Sequence, residues 1–156
     1  MPTEKRTEPV ILIKRLRPGK DRDIPLPRYM TPGSAGMDIC AAIDAPVTLA
    51  PGAIALVPTG LAMAVPRGFE VQVRPRSGLA CTHGISIPNS PGTIDSDYRG
   101  EVMVALINLS GSPHTIRRKD RIAQLVVNRI FRARTRKVKD LDITERSSGG
   151  FGHTGV

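Results

Sequence analysis

Two aspartates stand two residues apart in the segment GTIDSDYRGE, residues 92–101. Residues two apart in an extended chain point to the same side, so the carboxylates of Asp95 and Asp97 can line one surface. Carboxylates are ionised at neutral pH, and they can hold Mg²⁺ through water or take a proton from an attacking water molecule. The residues alone leave one alternative open, a tight acidic hairpin in which Arg99 pairs with an aspartate.

A phosphate site is indicated by PRSGLA, residues 75–80. A proline stiffens the chain before the guanidinium of Arg76 and the hydroxyl of Ser77, and both groups can donate hydrogen bonds to a phosphate. The backbone N–H groups of Gly78 and Leu79 can complete such a cradle. Taken by itself this short pattern is common.

Two polar residues interrupt otherwise apolar strand patterns. Asp38 lies in AGMDICAA, residues 35–42, and is either a structural anchor or a group of a functional site. Gln124 lies in RIAQLVV, residues 121–127, and must find hydrogen-bond partners if it is buried.

The composition is that of one globular domain. The chain has 156 residues, 40% of them hydrophobic, and its longest apolar run, 102–107, is far too short to span a membrane. We therefore expect a cytoplasmic protein without a membrane partner. Cys40 and Cys81 are expected to be buried, reduced thiols, and the three scattered histidines form no zinc motif.

The formal charge of +9 is concentrated in residues 117–139, which carry ten Lys or Arg and one Asp. Such a stretch favours a polyanionic partner, either a nucleic acid or a nucleoside triphosphate. Only Phe131 accompanies these cations, whereas single-strand binders stack bases on several aromatic rings, so nucleic acid is not the expected partner. A solvated strand face is the alternative.

Short strands with Gly and Pro turns dominate the chain. Turns are predicted at 51–52, 58–60 and 66–68, with strands at 53–57, 61–65 and 69–73 between and after them. Further strands are predicted at 10–16, 37–43, 101–108 and 121–131, and a short helix after Pro75. Both faces of VMVALI are apolar, so this strand should be covered on both sides, one of them at a subunit contact. The pattern predicts an all-β sandwich or barrel of the jelly-roll kind.

Taken in order, five segments resemble the motifs of the trimeric dUTPases, the deoxyuridine triphosphate nucleotidohydrolases. They read AGMDICAA, PRSGLA, GTIDSDYRGEV, RIAQLVV and RSSGGFGHTG, and they cover residues 35–155. The resemblance implies a jelly-roll homotrimer with shared active sites, which hydrolyses dUTP to dUMP and pyrophosphate with Mg²⁺. Such an activity limits uracil in DNA and supplies dUMP for thymidylate synthesis.

The resemblance assigns roles to the first four segments. Asp95 would be the base that deprotonates the water attacking the α-phosphate. Arg76, Ser77 and Gly78 would contact the phosphates, with Gln124 near the α-phosphate. Asp38 would act on the metal indirectly, through water.

The same resemblance places the uracil and the sugar at the 89–98 hairpin. Asn89 would read the uracil edge, because an amide both donates and accepts. Backbone groups that include those of Thr93 and Ile94 would complete the hydrogen bonding. Tyr98 would pack under the deoxyribose and leave no room for a 2′-hydroxyl.

The Gly-rich end, RSSGGFGHTGV, cannot build a packed core. The resemblance makes residues 141–156 a flexible lid on a domain of residues 1–140. Arg146 would meet the γ-phosphate, Phe151 would stack on the uracil, and Gly152 belongs to the glycine backbone around the triphosphate. The family usually has glycine after this arginine, whereas here Ser147 follows, which weakens closure if the position needs a positive φ. His153 receives no catalytic role.

Two rival functions remain. One is a dCTP deaminase of the same fold, which the pairing of Asp95 with Tyr98 and the GGFG tail disfavour. The other is a non-catalytic module that binds nucleotides or nucleic acid through residues 117–139.

Overall fold

A computed structural model describes residues 8–150 of the chain. Within this range the backbone forms eleven strands and one short helix. In chain order the elements are β1 (Leu12–Arg15), β2 (Arg28–Tyr29), β3 (Gly36–Cys40), β4 (Val47–Leu49), β5 (Ile54–Ala64), β6 (Phe69–Arg74), α1 (Ser77–His83), β7 (Ile85–Ser86), β8 (Gly92–Ile94), β9 (Glu101–Asn108), β10 (His114–Ile116) and β11 (Arg121–Arg129).

Two antiparallel sheets enclose the core. One has the strand order β1-β5-β9-β7 and the other β2-β3-β11-β6-β8, while β10 and β4 form a separate pair. Buried side chains from both large sheets form one cluster, which includes Val57, Val71, Val104 and Leu125. This arrangement confirms the all-β, jelly-roll prediction.

The predicted turns at 51–52 and 66–68 are confirmed. Gly52 and Gly68 have φ of 76° and 85°, a left-handed conformation in which a side chain would be strained. Backbone hydrogen bonds close both turns, from Ala53 N to Ala50 O and from Phe69 N to Pro66 O.

The predicted turn at 58–60 is wrong. β5 runs through these residues, and its pairing with β9 shifts register between Pro58 and Ala62. Gly60, at φ 68°, lies in this bulge, and its N–H donates to Glu101 Oε1 at 2.8 Å. Proline and glycine here produce a bulge within one strand. The regular pairing is interrupted, and acceptors on the neighbouring strand β9 bind Thr59 and Gly60 instead.

The strand predicted at 101–108 is confirmed with the same bounds as β9, and the 69–73 strand is one residue longer, as β6. The strands predicted separately at 53–57 and 61–65 are parts of one strand, β5. The helix after Pro75 is α1, which ends at His83 and is capped by Gly84 in a left-handed conformation. The predicted 37–43 strand ends at Cys40, and the 121–131 strand ends at Arg129.

One face of β9 is covered by the core. Val102, Val104 and Leu106 are buried, as predicted, while the alternate residues of β9 remain half-exposed. Across the pairing with β5, Ile54 and Leu56 are each 61% exposed on that outer face. Among residues 8–150 this apolar face is therefore left uncovered.

The two cysteines differ in environment. Cys40 is buried and free, and burial raises the pKa of its thiol, with a further contribution from the Asp38 carboxylate. Cys81 is free but exposed, so its predicted burial is wrong. The reason is that α1 has no buried residues and lies on the surface.

None of the helices in residues 8–150 has the length and apolar character that crossing a membrane requires.

Candidate active site

Asp38 lies on β3, and its carboxylate forms ion pairs with two arginines. Its Oδ1 accepts a hydrogen bond from Arg76 Nε at 3.0 Å, and its Oδ2 accepts one from Arg121 Nη1 at 3.1 Å. The carboxylate is half-buried and both of its oxygens are engaged. Partly exposed ion pairs of this kind contribute only about 0–1 kcal/mol, so the main consequence is orientation of the Arg76 guanidinium. Arg121 was not assigned a role from the sequence, although it is the first residue of RIAQLVV.

Gln124 lies opposite Asp38 in the pairing of β11 with β3, and opposite Arg74 in the pairing with β6. Its Nε2 donates to the carbonyl of Pro75 at 2.9 Å, which confirms that this half-buried amide finds a partner. A Cβ added at Gly36 would collide with Gln124 Oε1, so the absence of a side chain there makes room for the amide. β3, β6 and β11 thus bring Asp38, Arg76 and Gln124 together.

Ser77 begins α1, directly after Arg76. The first N–H groups of a helix have no partner within the helix, and here no side chain caps them. Ser77 and Gly78 are exposed, and no acidic residue occupies the first turn. Donors and a guanidinium therefore face solvent together at this point, as a phosphate site requires.

A cavity of about 160 Å³ lies between the 89–98 hairpin and β9. Its walls include Asn89, Gly92, Thr93, Ile94 and Tyr98. A Cβ on Gly92 would come within 3.2 Å of Asn89 Nδ2, so glycine lets the amide lie against the hairpin. Within residues 8–150, the four residues that the sequence assigned to base and sugar recognition all line this cavity; they are Asn89, Thr93, Ile94 and Tyr98.

The ring of Tyr98 is fixed at its hydroxyl end. The hydroxyl donates to the carbonyl of Glu101 at 2.9 Å, and a Cβ on Gly100 would collide with the ring. The residue is still 45% exposed, which leaves part of the ring available to a ligand.

Asp95 and Asp97 follow β8 and are both exposed. They line a second cavity of about 470 Å³ together with Arg67 and Arg132, two cations that sequence reasoning did not connect with this site. The alternative in which Arg99 pairs with an aspartate is wrong, because Arg99 Nη1 donates to the carbonyls of Ser96 and Tyr98, both at 2.8 Å. Arg99 therefore stabilises the turn through backbone carbonyls and leaves the carboxylates of Asp95 and Asp97 accessible.

The two groups of residues lie at opposite ends of β6. Gln124 is opposite Arg74, whereas Ile94 is opposite Val71 and the chain continues from there toward Gly68. Asp95 is therefore roughly 14 Å along the strand direction from the level of Gln124, at ~3.4 Å per residue. Within residues 8–150 no hydrogen bond or ion pair joins the two groups.

Arg146 lies in a turn near the end of the described chain. Its Nε donates to the carbonyl of Gly149 at 2.8 Å, and Ser147 N donates to the hydroxyl of Thr144 at 3.0 Å. Ser147 has φ 45°, so this position does adopt the left-handed conformation that favours glycine. Phe151, Gly152 and His153 lie outside the described residues.

Fold and side chains together define a jelly-roll β protein whose polar clusters suit a phosphorylated nucleotide. A model of the dUTPase family matches residues 22–155. The chain is 59% identical over 131 residues to the deoxyuridine 5'-triphosphate nucleotidohydrolase of Desulfotalea psychrophila, an alignment that covers 84% of this chain and 87% of that protein. The chain belongs to the dUTPase family.

Two solved structures share the fold. A dUTPase variant of Staphylococcus bacteriophage 80alpha, solved with dUpNHpp, matches with a TM-score of 0.82 at 23% identity, over 94% of this chain and 99% of that one. A dUTPase variant from phage phi11 of S. aureus, in which coordination of a structural Mg(II) ion is described, matches with a TM-score of 0.74 at 21% identity, over 86% and 99%.

Proposed function

We propose that this chain hydrolyses dUTP to dUMP and pyrophosphate by attack of water on the α-phosphate. The observation that carries the proposal is the 89–98 hairpin: the Asn89 amide and the Tyr98 ring line its cavity, and the exposed Asp95, which follows Ile94, lines a second cavity. Membership of the dUTPase family supports the same reaction.

Asp95 is the base. Its carboxylate is exposed and has no cationic partner within 4 Å among residues 8–150, so it is free to accept the proton of a water molecule. A positioned base of this kind contributes typically ~10²–10⁴ in rate. The proton leaves the water as its oxygen bonds to the α-phosphorus and the bond to pyrophosphate breaks.

The phosphates bind at the start of α1. Arg76 and Ser77 donate to phosphate oxygens together with the free N–H groups of the first helical turn. Asp38 orients the Arg76 guanidinium, and the hydrogen bond to Pro75 holds the Gln124 amide near the α-phosphate position.

The residues present fit Mg²⁺ carried by the triphosphate rather than by a protein cage. Within residues 8–150 no three His, Cys, Asp or Glu side chains converge as ligands, and both oxygens of Asp38 already accept hydrogen bonds from arginine. Asp38 can therefore act on the ion only through water, which suits a cation that keeps several of its waters. When bound, Mg²⁺ would offset the negative charge that grows on pyrophosphate.

Uracil and deoxyribose are recognised in the hairpin cavity. Asn89 can donate to O4 and accept from N3–H, and cytosine reverses both of these groups. Backbone groups of Thr93 and Ile94 add hydrogen bonds, and a mismatched edge leaves buried groups unpaired. The Tyr98 ring, fixed by Glu101 and Gly100, packs under the sugar and excludes a ribose 2′-hydroxyl.

The complete site is shared between chains of a homotrimer. Asp95 and the Arg76–Gln124 group are too far apart in one chain to act on the same phosphorus. The apolar face that Ile54, Leu56 and Ile107 present is suited to contact with another copy. The tail, with Arg146 at the γ-phosphate and Phe151 on the uracil, completes a site formed by other chains.

The chain consists of a jelly-roll domain, residues 1–140, and a lid, residues 141–156. In the cytoplasm, the location that we propose, its activity would limit uracil in DNA and supply dUMP for thymidylate synthesis.

A comparison of nucleotide substrates tests the function directly. The purified protein is assayed with Mg²⁺ and dUTP, dCTP, dTTP or UTP, and both pyrophosphate and ammonia are measured. We expect pyrophosphate from dUTP alone, and Asp95→Asn should remove most of the rate while nucleotide affinity persists. Ammonia from dCTP would instead identify a deaminase, and dUTP binding without pyrophosphate would identify a non-catalytic module.

A further inference from the structure

A buried carboxylate, that of Asp21, accepts hydrogen bonds from two arginines. Asp21 is fully buried and lies in the loop between β1 and β2. Arg17 Nε donates to its Oδ2 at 2.8 Å, and Arg118 Nη2 donates to its Oδ1 at 3.0 Å. A Cβ added at Gly60 would collide with Asp21 Oδ2, so the glycine of the β5 bulge makes room for this carboxylate. Arg17 is a neighbour in sequence, whereas Arg118 is 97 positions away and therefore joins distant segments.

Arg118 connects this carboxylate to further groups. Its Nη2 lies 2.6 Å from Asp23 Oδ1, and its Nη1 donates to the carbonyl of Ile43 at 3.3 Å. Lys119 Nζ lies 3.2 Å from Asp23 Oδ2, and the hydrogen bond from Arg118 holds the pKa of Asp23 well below its usual value. Two neighbouring cations of the turn before β11 thus form ion pairs with the loop before β2.

This turn, at residues 117–120, has a strained backbone. Lys119 has φ 72°, a left-handed conformation that is unfavourable for a residue with a Cβ. Such a conformation persists where the surrounding contacts hold it. Two backbone hydrogen bonds of 2.9 Å, from Lys119 N to Ala41 O and from Ala41 N to Asp120 O, act here together with the ion pairs of Arg118 and Lys119. The ion pairs therefore help to keep the turn in this conformation.

β11 begins directly after the turn, at Arg121. The carbonyl of Arg121 accepts a hydrogen bond from Arg76 Nη1 at 3.3 Å, while Arg76 Nε donates to Asp38. The pairing of β11 with β3 shifts register between Arg121 and Ala123, so the regular pairing from Ala123 onward does not by itself fix Arg121. The Arg76 guanidinium thus has two acceptors, and the position of one of them depends on the turn.

We infer that Arg118 is a positioning residue for phosphate binding. It acts through the 117–120 turn on the carbonyl of Arg121, and through that carbonyl on Arg76. The inference rests on the proposed function, in which Arg76 donates to the phosphates of dUTP. Arg118 itself is bonded to two carboxylates and to backbone carbonyls rather than to Arg76, so its loss should weaken the phosphate contacts and leave uracil recognition in the hairpin cavity intact.

Two variants that each remove one arginine from Asp21 test this role. Arg118→Gln detaches the turn from Asp21, whereas Arg17→Gln removes the other partner of Asp21 and leaves the turn attached. For Arg118→Gln we expect a KM for dUTP about 3- to 10-fold higher with kcat within about 2-fold, which is in the range of couplings within one ion-pair network. For Arg17→Gln the KM should stay within about 2-fold of the wild-type value. The affinity for deoxyuridine, which has no phosphate, should be unchanged in both.

A double-mutant cycle with Arg76 separates positioning from a general loss of stability. Calorimetry measures the affinity of an unreactive dUTP analogue for the wild type, Arg118→Gln, Arg76→Gln and the double variant. If Arg118 acts through Arg76, Arg118→Gln should cost about 3- to 10-fold in the wild-type background but less than about 2-fold once Arg76 has been replaced. Arg118→Lys keeps the charge but not the planar fork, and it should recover part of the affinity.

Three results would overturn the inference: equal changes of KM in Arg118→Gln and Arg17→Gln, a parallel loss of deoxyuridine affinity, or additive effects in the cycle. A wild-type protein that binds the analogue without hydrolysing dUTP would contradict the proposed function alone, and the cycle, which needs only binding, would still test Arg118. Failure of the wild type to bind the analogue would contradict both. Sedimentation verifies the assembly of each variant. If Arg118→Gln does not assemble, Asp23→Asn replaces it and should raise the KM in the same direction, because it removes an exposed partner of Arg118 while Asp21 stays paired.

Discussion

Arg76 Nε donates to Asp38 Oδ1 at 3.0 Å, and this contact joins β3 to the residue that precedes α1, 38 positions further along the chain. Asp38→Asn keeps the shape of the side chain but removes its charge. We expect a roughly 2- to 5-fold higher KM for dUTP with a smaller change in kcat, because a half-exposed ion pair contributes about 0.2–1 kcal/mol. Asp44→Asn, which affects another carboxylate paired with Lys20, is the matched control. A fall in kcat at constant KM would contradict a positioning role.

Subunit mixing tests the shared site. Asp95→Asn chains and chains truncated before Arg146 should each be inactive as homotrimers. Mixed trimers should regain part of the hydrolysis, because one site can take its base from one chain and its tail from another. Exchange is verified by mass spectrometry, and verified exchange without any recovered activity would exclude a site of this kind.

Ser147 should respond to substitution according to its φ of 45°. Ser147→Gly removes a left-handed strain of about 1 kcal/mol and should lower the KM for dUTP about 5-fold. Ser147→Val should raise it, because a β-branched residue tolerates this conformation least. Ser148→Gly is the control, since Ser148 does not have a positive φ. Identical KM values for the glycine and valine variants at 147 would show that the turn has no part in binding.

His114 should make stability depend on pH. Burial lowers its pKa below the ordinary value of 6.5, and nearby His83, whose ring centroid lies 4.7 Å away, lowers it further, while Asp120 acts in the opposite direction. Because the folded pKa is the lower one, the unfolded chain takes up a proton first, and stability falls as the pH drops below 6.5. Urea unfolding at pH 7.5 and pH 5.5 measures this loss. His114→Gln should reduce it, and an unchanged loss would assign the acid sensitivity to other groups.

Much of the fold was predictable because its rules are local. Alternation of Phe69, Val71 and Val73 with polar residues predicted β6, and Gly52 and Gly68 predicted two tight turns. The 58–60 segment has the same residue types, yet it forms a bulge. That outcome depends on hydrogen bonds that Thr59 and Gly60 donate to acceptors on β9, more than forty residues further along the chain.

The candidate site divides in the same way. The residue types of Asp95, Arg76 and Gln124, and their order in five motifs, were fixed by the sequence, and they carried the proposed chemistry. The partners of Asp38 could not be predicted from the sequence. Arg121 is 83 residues away, and only the pairing of β3 with β11 brings it close to Asp38.

The sequence by itself determined which chemistry this chain can perform and the approximate positions of its longer strands, since side-chain type and periodicity act over a few residues. Tertiary structure alone decided which cations in residues 117–139 form ion pairs, as Arg118 does with Asp21 and Asp23. It also decided that Asp95 and Gln124 lie at opposite ends of β6. Ion pairs and strand registers are set by contacts between distant segments, and no local pattern encodes them.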